Sequence, residues 1–135
     1  MSYKNNLSFY CPLTHNSADD VNLPFDETLD ILRELLEDKS LTVIGQNLKY
    51  DINVLKKYSM IFKNRIEDTM LMSYVLSSSG KHDMDTLSSK FLDHKPISYE
   101  SVAGKGKDQI SFADVEISKA VEYACEDADL TFLLY

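Results

Sequence analysis

The stretch VIGQNLKYDINVL, residues 43–55, changes character at its centre. It begins with an apolar run of the kind that forms a buried strand. Asn47 follows as a residue type favoured at helix N-caps, and Ile52 and Leu55 come after it at helical spacing. A strand that passes directly into a helix predicts an α/β unit, and it places Asp51 in the first turn of the helix.

Four further helices are predicted from spacing and capping. Residues 25–38 have leucines along one face, Asp68 and Asp83 are N-caps of the next two helices, and Ser111 or Asp114 opens the last one. One face of the first helix carries Leu29, Leu32, Leu35 and Leu36, and one face of the last carries Ile117, Val121, Ala124, Ala128 and Thr131. In the second helix the inward positions are Met70, Leu71, Tyr74 and Val75, and in the third Met84, Leu87 and Phe91 follow the cap at helical spacing.

Strands are fewer than helices. Three short strands are predicted: one over residues 7–13 that ends at a proline, one over residues 41–46, and one that closes at Ile66. Residues 15–24 are predicted as loop. Two or three strands among five helices predict one domain of the α/β class. A single strand precedes the first helix and the final TFLLY has no helix stop signal, so we expect residues 1–135 to be one partial domain cut at both ends.

Composition narrows the class of protein. The chain has 135 residues, a net charge of −8 and two cysteines, Cys11 and Cys125, which form neither a disulfide framework nor a metal motif. No apolar run approaches the roughly 20 residues of a membrane-spanning helix, so no membrane partner is expected. A protein that coats nucleic acid is normally basic, so the negative net charge argues against a nucleic-acid-coating protein. An enzyme that gathers carboxylates around metal ions stays compatible with the charge, because bound cations reverse the local field.

A second acidic pattern lies near the end of the chain, in YACEDADLT. Tyr123 and Asp127 are four residues apart and share one helix face with three alanines. An inward-facing Asp127 needs a metal ion or a basic side chain, because an unpaired buried carboxylate is unfavourable. The spacing fits ordinary roles equally well: Asp51 as a first-turn acid favoured by the helix dipole, Asp127 as a solvated charge and Tyr123 as a core aromatic.

GQNLKYD and YACEDAD together resemble the second and third motifs of the DEDD-type 3′–5′ exonucleases, in the subtype whose third motif is Tyr-x-x-x-Asp. EDTMLMSYVLSSSGKHDMDTLSSKFL, followed by SYESVAGKGKDQISF, resembles the proofreading exonuclease domain of bacterial DNA polymerase I, and the likeness runs from about Leu7 onward. It implies a ribonuclease-H-like fold, with helices on the faces of a mixed sheet. It also implies a 3′–5′ exonuclease that hydrolyses the 3′-terminal phosphodiester in the longer parent protein.

The resemblance further implies a site and its ligands. Two divalent cations, Mg²⁺ or Mn²⁺, would be bound in the intact domain, with Asp51 and Asp127 as metal ligands. Tyr123 would orient the attacking water, and Asn47 would contact the nucleotide or brace the strand end. The other candidates for contact with the 3′ end of single-stranded DNA are Lys49, Tyr50, Lys81, Met84 and Tyr99, with Lys105 and Lys107 as further phosphate contacts.

One part of the family pattern is lacking. The first motif, Asp-x-Glu on the first strand, supplies two of the four carboxylates, and its nearest mimic here, Asp26-Glu27-Thr28, has another spacing and begins a helix. The strand that carries this motif is central in the family's sheet. We therefore expect the chain alone to bind metal weakly, to cleave little, and to self-associate through an exposed sheet edge.

The resemblance also predicts a partner, a location and the rival functions. The partner is the polymerase domain of the same parent chain, and the location is the bacterial cytoplasm, at the nucleoid. The alternatives are a ribonuclease-D-like exoribonuclease, which shares the Tyr-x-x-x-Asp subtype, and a non-catalytic domain that supports a polymerase. The stretch KHDMDTLSSKFL favours the polymerase type, and the retained Asp51, Tyr123 and Asp127 argue against a non-catalytic domain.

Overall fold

The computed structural model describes residues 1–16 and 22–135, which form a mixed α/β structure. The strands are β1 (Ser2–Lys4), β2 (Leu7–Ser8), β3 (Thr42–Gly45) and β4 (Arg65–Asp68). The helices are α1 (Phe25–Glu37), α2 (Leu48–Lys56), α3 (Thr69–Leu76), α4 (Met84–Phe91), α5 (Tyr99–Ala103) and α6 (Ile117–Leu134). The predicted α/β class is confirmed. None of these helices is both long and apolar enough to cross a membrane.

The strands form two separate pairs. β1 and β2 are an antiparallel hairpin, and Asn6 in its turn has a φ of 59°, a left-handed conformation that asparagine tolerates. β3 and β4 are parallel, in a register that sets Gly45 opposite Asp68. The expected mixed sheet is therefore divided into an antiparallel and a parallel part, because no strand among residues 1–16 and 22–135 bridges β1 and β3.

A groove of about 900 Å³ lies between the two pairs of strands and is called the central groove below. Residues 1–3 and Phe9 line it from the hairpin, β3 lines it from the other pair, and leucines of α1 and the second half of α6 complete the walls. Helix α6 packs against β1, β2 and β3, so one helix supports both pairs. The β3 edge opposite β4 faces this groove.

Within the described residues, the apolar core includes two clusters of buried side chains. The first is Leu29, Leu36 and Met60, and the second is Ala103, Val115 and Ala120. The first cluster confirms the predicted inward face of α1, although Leu35 is exposed. The second cluster joins α5 to the start of α6 and thereby anchors the helix that carries Tyr123 and Asp127.

The predicted inward face of α3 is wrong. Leu71, Tyr74 and Val75 are exposed, whereas the polar Thr69 and Ser73 are buried. The Thr69 hydroxyl donates to the last carbonyl of β3, and the Ser73 hydroxyl bonds to a buried histidine ring at 2.7 Å. The helix thus packs through small polar side chains, which an apolar periodicity cannot reveal.

The first predicted strand and the last predicted helix start also need correction. Of residues 7–13 only Leu7–Ser8 is a strand, and its partner β1 was not predicted. The last helix begins at Ile117, because Ser111 caps only a single 3₁₀ turn, Phe112–Asp114, and buried Val115 follows in an extended conformation. Of the predicted loop, residues 17–21 lie outside the described part of the chain.

Candidate active site

The turn from β3 into α2 has a tightly constrained backbone. A Cβ atom at Gly45 would overlap the Leu48 side chain, so glycine is required for this packing. Asn47 adopts a left-handed conformation, with φ 59° and ψ 43°, and its side chain makes no capping hydrogen bond, so its predicted role as a cap is wrong. The Asp68 carboxylate accepts hydrogen bonds from the backbone nitrogens of Asn47 and Leu48 instead, at 3.1 and 2.8 Å.

Asp51 and Asp127 meet in a pocket of about 540 Å³, which is called the acidic pocket below. Its lining residues are Gln46, Asn47, Tyr50, Asp51, Tyr99, Phe112, Tyr123, Ala124 and Asp127. The first turn of α2 supplies Asp51, and one face of α6 supplies Tyr123 and Asp127, in agreement with their spacing of four. Both carboxylates also line the central groove, so the acidic pocket and the groove adjoin at these two residues.

An aromatic cluster forms one side of the acidic pocket. The rings of Tyr99 and Phe112 stack with centroids 6.1 Å apart, and the Tyr123 ring lies 6.0 and 5.9 Å from them. This packing fixes the position of the Tyr123 ring. Burial raises the pKa of Tyr123 well above its ordinary value of 10.0, and the charge of Asp127 raises it further. The Tyr123 hydroxyl therefore keeps its proton at neutral pH.

The two carboxylates of the acidic pocket differ in exposure, since Asp51 is exposed and Asp127 is half-buried, but contact with the pocket walls removes some water from each. Burial is the largest cause of a raised pKa at Asp51, and the charge of Asp68 raises this pKa further. Burial also raises the pKa of Asp127; the hydrogen bond with the Tyr123 hydroxyl opposes this effect, and the charges of Glu126 and Asp85 add to it. Two negative charges thus share one pocket in which each carboxylate is partly desolvated, and a bound cation would relieve that cost.

The donor chemistry of the acidic pocket fits a divalent cation, but the set of ligands is small. Carboxylate oxygens are the ligands that Mg²⁺ and Mn²⁺ prefer, and Asp51 and Asp127 provide them here. Within residues 1–16 and 22–135 no three side chains of His, Cys, Asp or Glu lie close enough together to hold a metal ion. The two acids would therefore leave most coordination positions to water.

One Asp-x-Glu spacing, at Asp114 and Glu116, was missed in the sequence. These residues lie between a 3₁₀ turn and α6, away from every described strand, and Asp114 accepts a hydrogen bond from Asn16 at 2.8 Å. The mimic Asp26-Glu27 lies in the first turn of α1. Neither pair lines the acidic pocket or the central groove, so neither replaces the first motif.

The remaining substrate-contact candidates separate into two groups. Tyr50 and Tyr99 line the acidic pocket, and Met84 lines the central groove. Lys49 and Lys81 are exposed and line neither space. The two other lysines are also outside both spaces, and Lys105 forms an ion pair with Glu100 at 3.0 Å.

Two residues of the acidic pocket were missed by sequence reasoning. Phe112 comes from a 3₁₀ turn without periodicity, although it ends a segment that carries the family resemblance. Gln46 donates from its amide to the carbonyl of His82 at 2.8 Å and accepts a hydrogen bond from Thr69. Gln46 thereby ties the β3–α2 turn to α3 and to the start of α4. Its position inside GQNLKYD was the available signal.

Comparisons with known proteins show which family the chain is similar to. A sequence model of the family described as 3′–5′ exonuclease matches residues 1–135, so the likeness begins before Leu7. DNA polymerase I of Rhizobium leguminosarum is 44% identical over 136 residues, which cover 93% of this chain and 13% of that protein. DNA polymerase I of Pseudomonas aeruginosa is 44% identical over 130 residues, which cover 93% of the chain and 14% of that protein.

A more distant relative gives the same result. DNA polymerase I of Treponema pallidum is 38% identical over 108 residues, which cover 77% of this chain and 10% of that protein. The chain thus spans only 10–14% of the length of these three relatives. Since the family model extends over all 135 residues, the chain belongs to the 3′–5′ exonuclease family whose relatives include segments of bacterial DNA polymerase I.

Proposed function

We propose that the acidic pocket is a 3′–5′ exonuclease site that acts on the 3′ end of single-stranded DNA within a longer DNA polymerase I. The observation that carries this proposal is the pocket shared by Asp51 of α2 and by Tyr123 and Asp127 of α6, in a member of the 3′–5′ exonuclease family. The relatives reported above are DNA polymerases, which favours a DNA end over the RNA end of a ribonuclease-D-like enzyme.

Asp51 and Asp127 would hold the divalent cations of such a site. When bound, Mg²⁺ or Mn²⁺ neutralises phosphate charge and lowers the pKa of a coordinated water. The chain's own contribution is a pair of carboxylates in one pocket, the exposed Asp51 and the half-buried Asp127, whose pKa values partial desolvation raises. With its proton retained, the Tyr123 hydroxyl donates a hydrogen bond and orients an attacking water beside Asp127.

Contact with the nucleotide would come from the aromatic side of the acidic pocket. Tyr50 is 69% exposed and Tyr99 37% exposed, so both rings offer a surface on which a base can stack. Asn47, in its left-handed turn, lines the same pocket and provides an amide for the terminal nucleotide. Lys49 and Lys81 would meet phosphates farther from the cleaved bond, since they lie outside the pocket.

The chain alone would bind metal weakly and cleave slowly. The acidic pocket holds two carboxylates, half of the four that the family resemblance implies. The chain also has a net charge of −8, so its negative charges need cations for balance. The polymerase part of the same polypeptide would be its natural partner. A cytoplasmic location at the bacterial nucleoid follows from a DNA substrate.

The proposal is tested by adding Mn²⁺ to the ¹⁵N-labelled chain and following the paramagnetic broadening of its amide signals. Broadening should be strongest near Asp51 and Asp127 and should be lost from Asp51→Asn and Asp127→Asn. A short single strand of DNA should then shift the signals of Tyr50 and Tyr99 more than the matching RNA does. Broadening spread evenly over the acidic surface would contradict the proposed metal site, and equal shifts by RNA would contradict the choice of DNA.

A nuclease assay examines the activity itself. A 5′-labelled single strand should be shortened slowly from its 3′ end by the chain, and not by Asp51→Asn. Shortening that persists in Asp51→Asn would assign the cleavage to another site. Rapid, Asp51-dependent shortening would contradict the expectation that two carboxylates suffice only for weak activity.

A further inference from the structure

Asp68 accepts hydrogen bonds from the starts of two helices at once. Its Oδ1 accepts from the backbone nitrogens of Met70 and Leu71 at 2.9 and 3.3 Å, at the N-terminus of α3. The same oxygen accepts from Asn47 N at 3.1 Å, and Oδ2 accepts from Leu48 N at 2.8 Å, at the N-terminus of α2. One carboxylate therefore joins the C-terminal end of β4 to both helices.

Helix α2 depends on this external acceptor. Its N-cap residue, Asn47, is in the left-handed conformation and provides no side-chain cap. The first N–H groups of a helix have no partner inside the helix, and a buried donor without a partner is costly. Leu48 is buried, so water cannot easily replace the carboxylate at its N–H group. Asp68 is consequently the acceptor that keeps the first turn of α2 in place.

The first turn of α2 carries the site residues. Asn47 and Asp51 both line the acidic pocket, and both move with this turn. The neighbouring Thr69 adds a second tie, because its hydroxyl donates to the Gly45 carbonyl at 3.2 Å and also contacts Gln46. A change in the Asp68 contacts would therefore shift the Asp51 carboxylate relative to Asp127 on α6.

Asp68 is not itself a promising ligand for a cation. A carboxylate has about four acceptor sites, and four N–H groups already bind to the two oxygens of Asp68. It also does not line the acidic pocket. A bracing role accounts for its contacts, whereas direct coordination would need several of them to break.

We propose that Asp68 is a positioning residue of the exonuclease site: its carboxylate holds the first turn of α2 against the start of α3 and so sets where Asn47 and Asp51 stand in the acidic pocket. The effect on the exonuclease site rests on the proposed function. The brace, by which we mean the hydrogen bonds of Asp68 to α2 and α3, is a feature of the structure and does not depend on that function. The sequence predicts that Asp68 caps α3, because the two are adjacent in sequence. It does not predict the bonds to α2, because those bonds join residues that are distant in sequence.

Two substitutions separate position from charge. Asp68→Glu keeps the charge but moves the carboxylate by one methylene, and Asp68→Asn keeps an acceptor for α3 but presents an NH₂ group toward α2. Asp83→Asn is the matched control, because Asp83 caps α4 through Thr86 N at 2.9 Å and has no hydrogen bond to α2. All three are studied in the whole chain.

The first measurement is amide hydrogen exchange at Asn47 and Leu48. Both Asp68 variants should exchange at Leu48 at least about tenfold faster, an equivalent loss of roughly 1.4 kcal/mol of protection, and Asp83→Asn should not. Asn47 should exchange faster in Asp68→Glu only, because Asp68→Asn keeps the Oδ1 acceptor of its N–H group. The second measurement is Mn²⁺ broadening at the acidic pocket. Both Asp68 variants should need about fivefold more Mn²⁺ for the same broadening, while Asp83→Asn behaves as the wild type.

Each contrary result has a separate meaning. If amide hydrogen exchange at Leu48 is unchanged in both Asp68 variants, Asp68 does not hold the first turn of α2. Wild-type Mn²⁺ affinity in Asp68→Glu, together with fast exchange at Leu48, shows that the brace does not position Asp51 and overturns the inference. An equal loss of affinity in Asp83→Asn also overturns it, because the effect would then be general. Absence of pocket-directed broadening in the wild type contradicts the proposed function, and the exchange data still decide whether Asp68 holds α2.

Discussion

Gly45 and Leu48 are in such close contact that the glycine has no room for a side chain. Gly45 is the last residue of β3 and Leu48 the first of α2. A Cβ atom at Gly45 would overlap both the Cγ and the Cδ atoms of Leu48. The tight turn between them presents Asn47 and Asp51 to the acidic pocket. Packing at this turn therefore contributes to stability and to the geometry of the site.

Gly45→Ala should destabilise the chain by about 1–3 kcal/mol, because overpacking forces a buried side chain to move. Denaturant unfolding measures the change in the free energy of unfolding. Leu48→Ala removes the atoms that clash, so the cost of Gly45→Ala should be smaller in that background. Equal costs in both backgrounds would show that the overlap with Leu48 is not the cause.

Asp127→Asn should raise the melting temperature at pH 7, because it removes the cost of holding a charge at a half-buried position. The pKa of Asp127 is raised in the folded chain, so the folded chain binds this proton more tightly than the unfolded chain does. The ionised carboxylate therefore lowers stability above the raised pKa, and the penalty disappears as the pH falls toward the ordinary value of 3.8.

A thermal melting series from neutral to acid pH tests this sign. The gain from Asp127→Asn should shrink as the pH falls, and Asp51→Asn should follow the same trend because its pKa is also raised by burial. Glu122→Gln is the control, since Glu122 is an exposed acid on the same helix. A loss of stability in Asp127→Asn at pH 7 would show that the hydrogen bond with Tyr123 outweighs the cost of burying the charge, and it would contradict the prediction.

The sequence was sufficient for elements whose signals are local. The leucine spacing of α1, the apolar run of β3 and the caps of Asp68 and Asp83 all depend on residues a few positions apart, and all are confirmed. The spacing of Tyr123 and Asp127 likewise places both in the acidic pocket. Periodicity and capping are short-range effects, which a single chain displays directly.

The errors concern contacts between distant segments. Apolar Leu71, Tyr74 and Val75 gave α3 the wrong inward face, because the space beneath that helix suits the small hydroxyl residues Thr69 and Ser73. Asn47 was assigned as a cap from its residue type, but its left-handed backbone leaves capping to Asp68. Asp68 lies on another strand, so no local pattern could have indicated its bonds to α2.

Tyr123→Phe should leave the melting temperature within about 2 °C of the wild type, whereas Tyr123→Ala should lower the free energy of unfolding by roughly 2–4 kcal/mol. The ring is packed against Tyr99 and Phe112, and phenylalanine keeps these contacts. Nuclease activity should respond differently, because Tyr123→Phe removes the protonated hydroxyl that is proposed to orient water. Full activity in a stably folded Tyr123→Phe would contradict that role.

Self-association should occur at high protein concentration, with the central groove as the contact surface. The groove exposes the β3 edge, which no strand of residues 1–16 and 22–135 pairs with, and Tyr3 and Phe9 extend its apolar wall with stacked rings 5.8 Å apart. Unpaired edges and contiguous apolar surface both recruit other chains. Sedimentation velocity over a range of concentrations should show a monomer converting to a larger species.

Charge placed in the central groove should prevent this association. Thr42→Lys adds a cation beside the β3 edge, and Tyr3→Lys does so on the opposite wall. Tyr135→Lys is the matched control, because Tyr135 is 55% exposed and does not line the groove. Each groove variant should remain monomeric at concentrations where Tyr135→Lys and the wild type associate. If all three variants associate alike, the contact surface lies elsewhere on the molecule. If the wild-type chain stays monomeric at every concentration, the open β3 edge does not recruit a second copy.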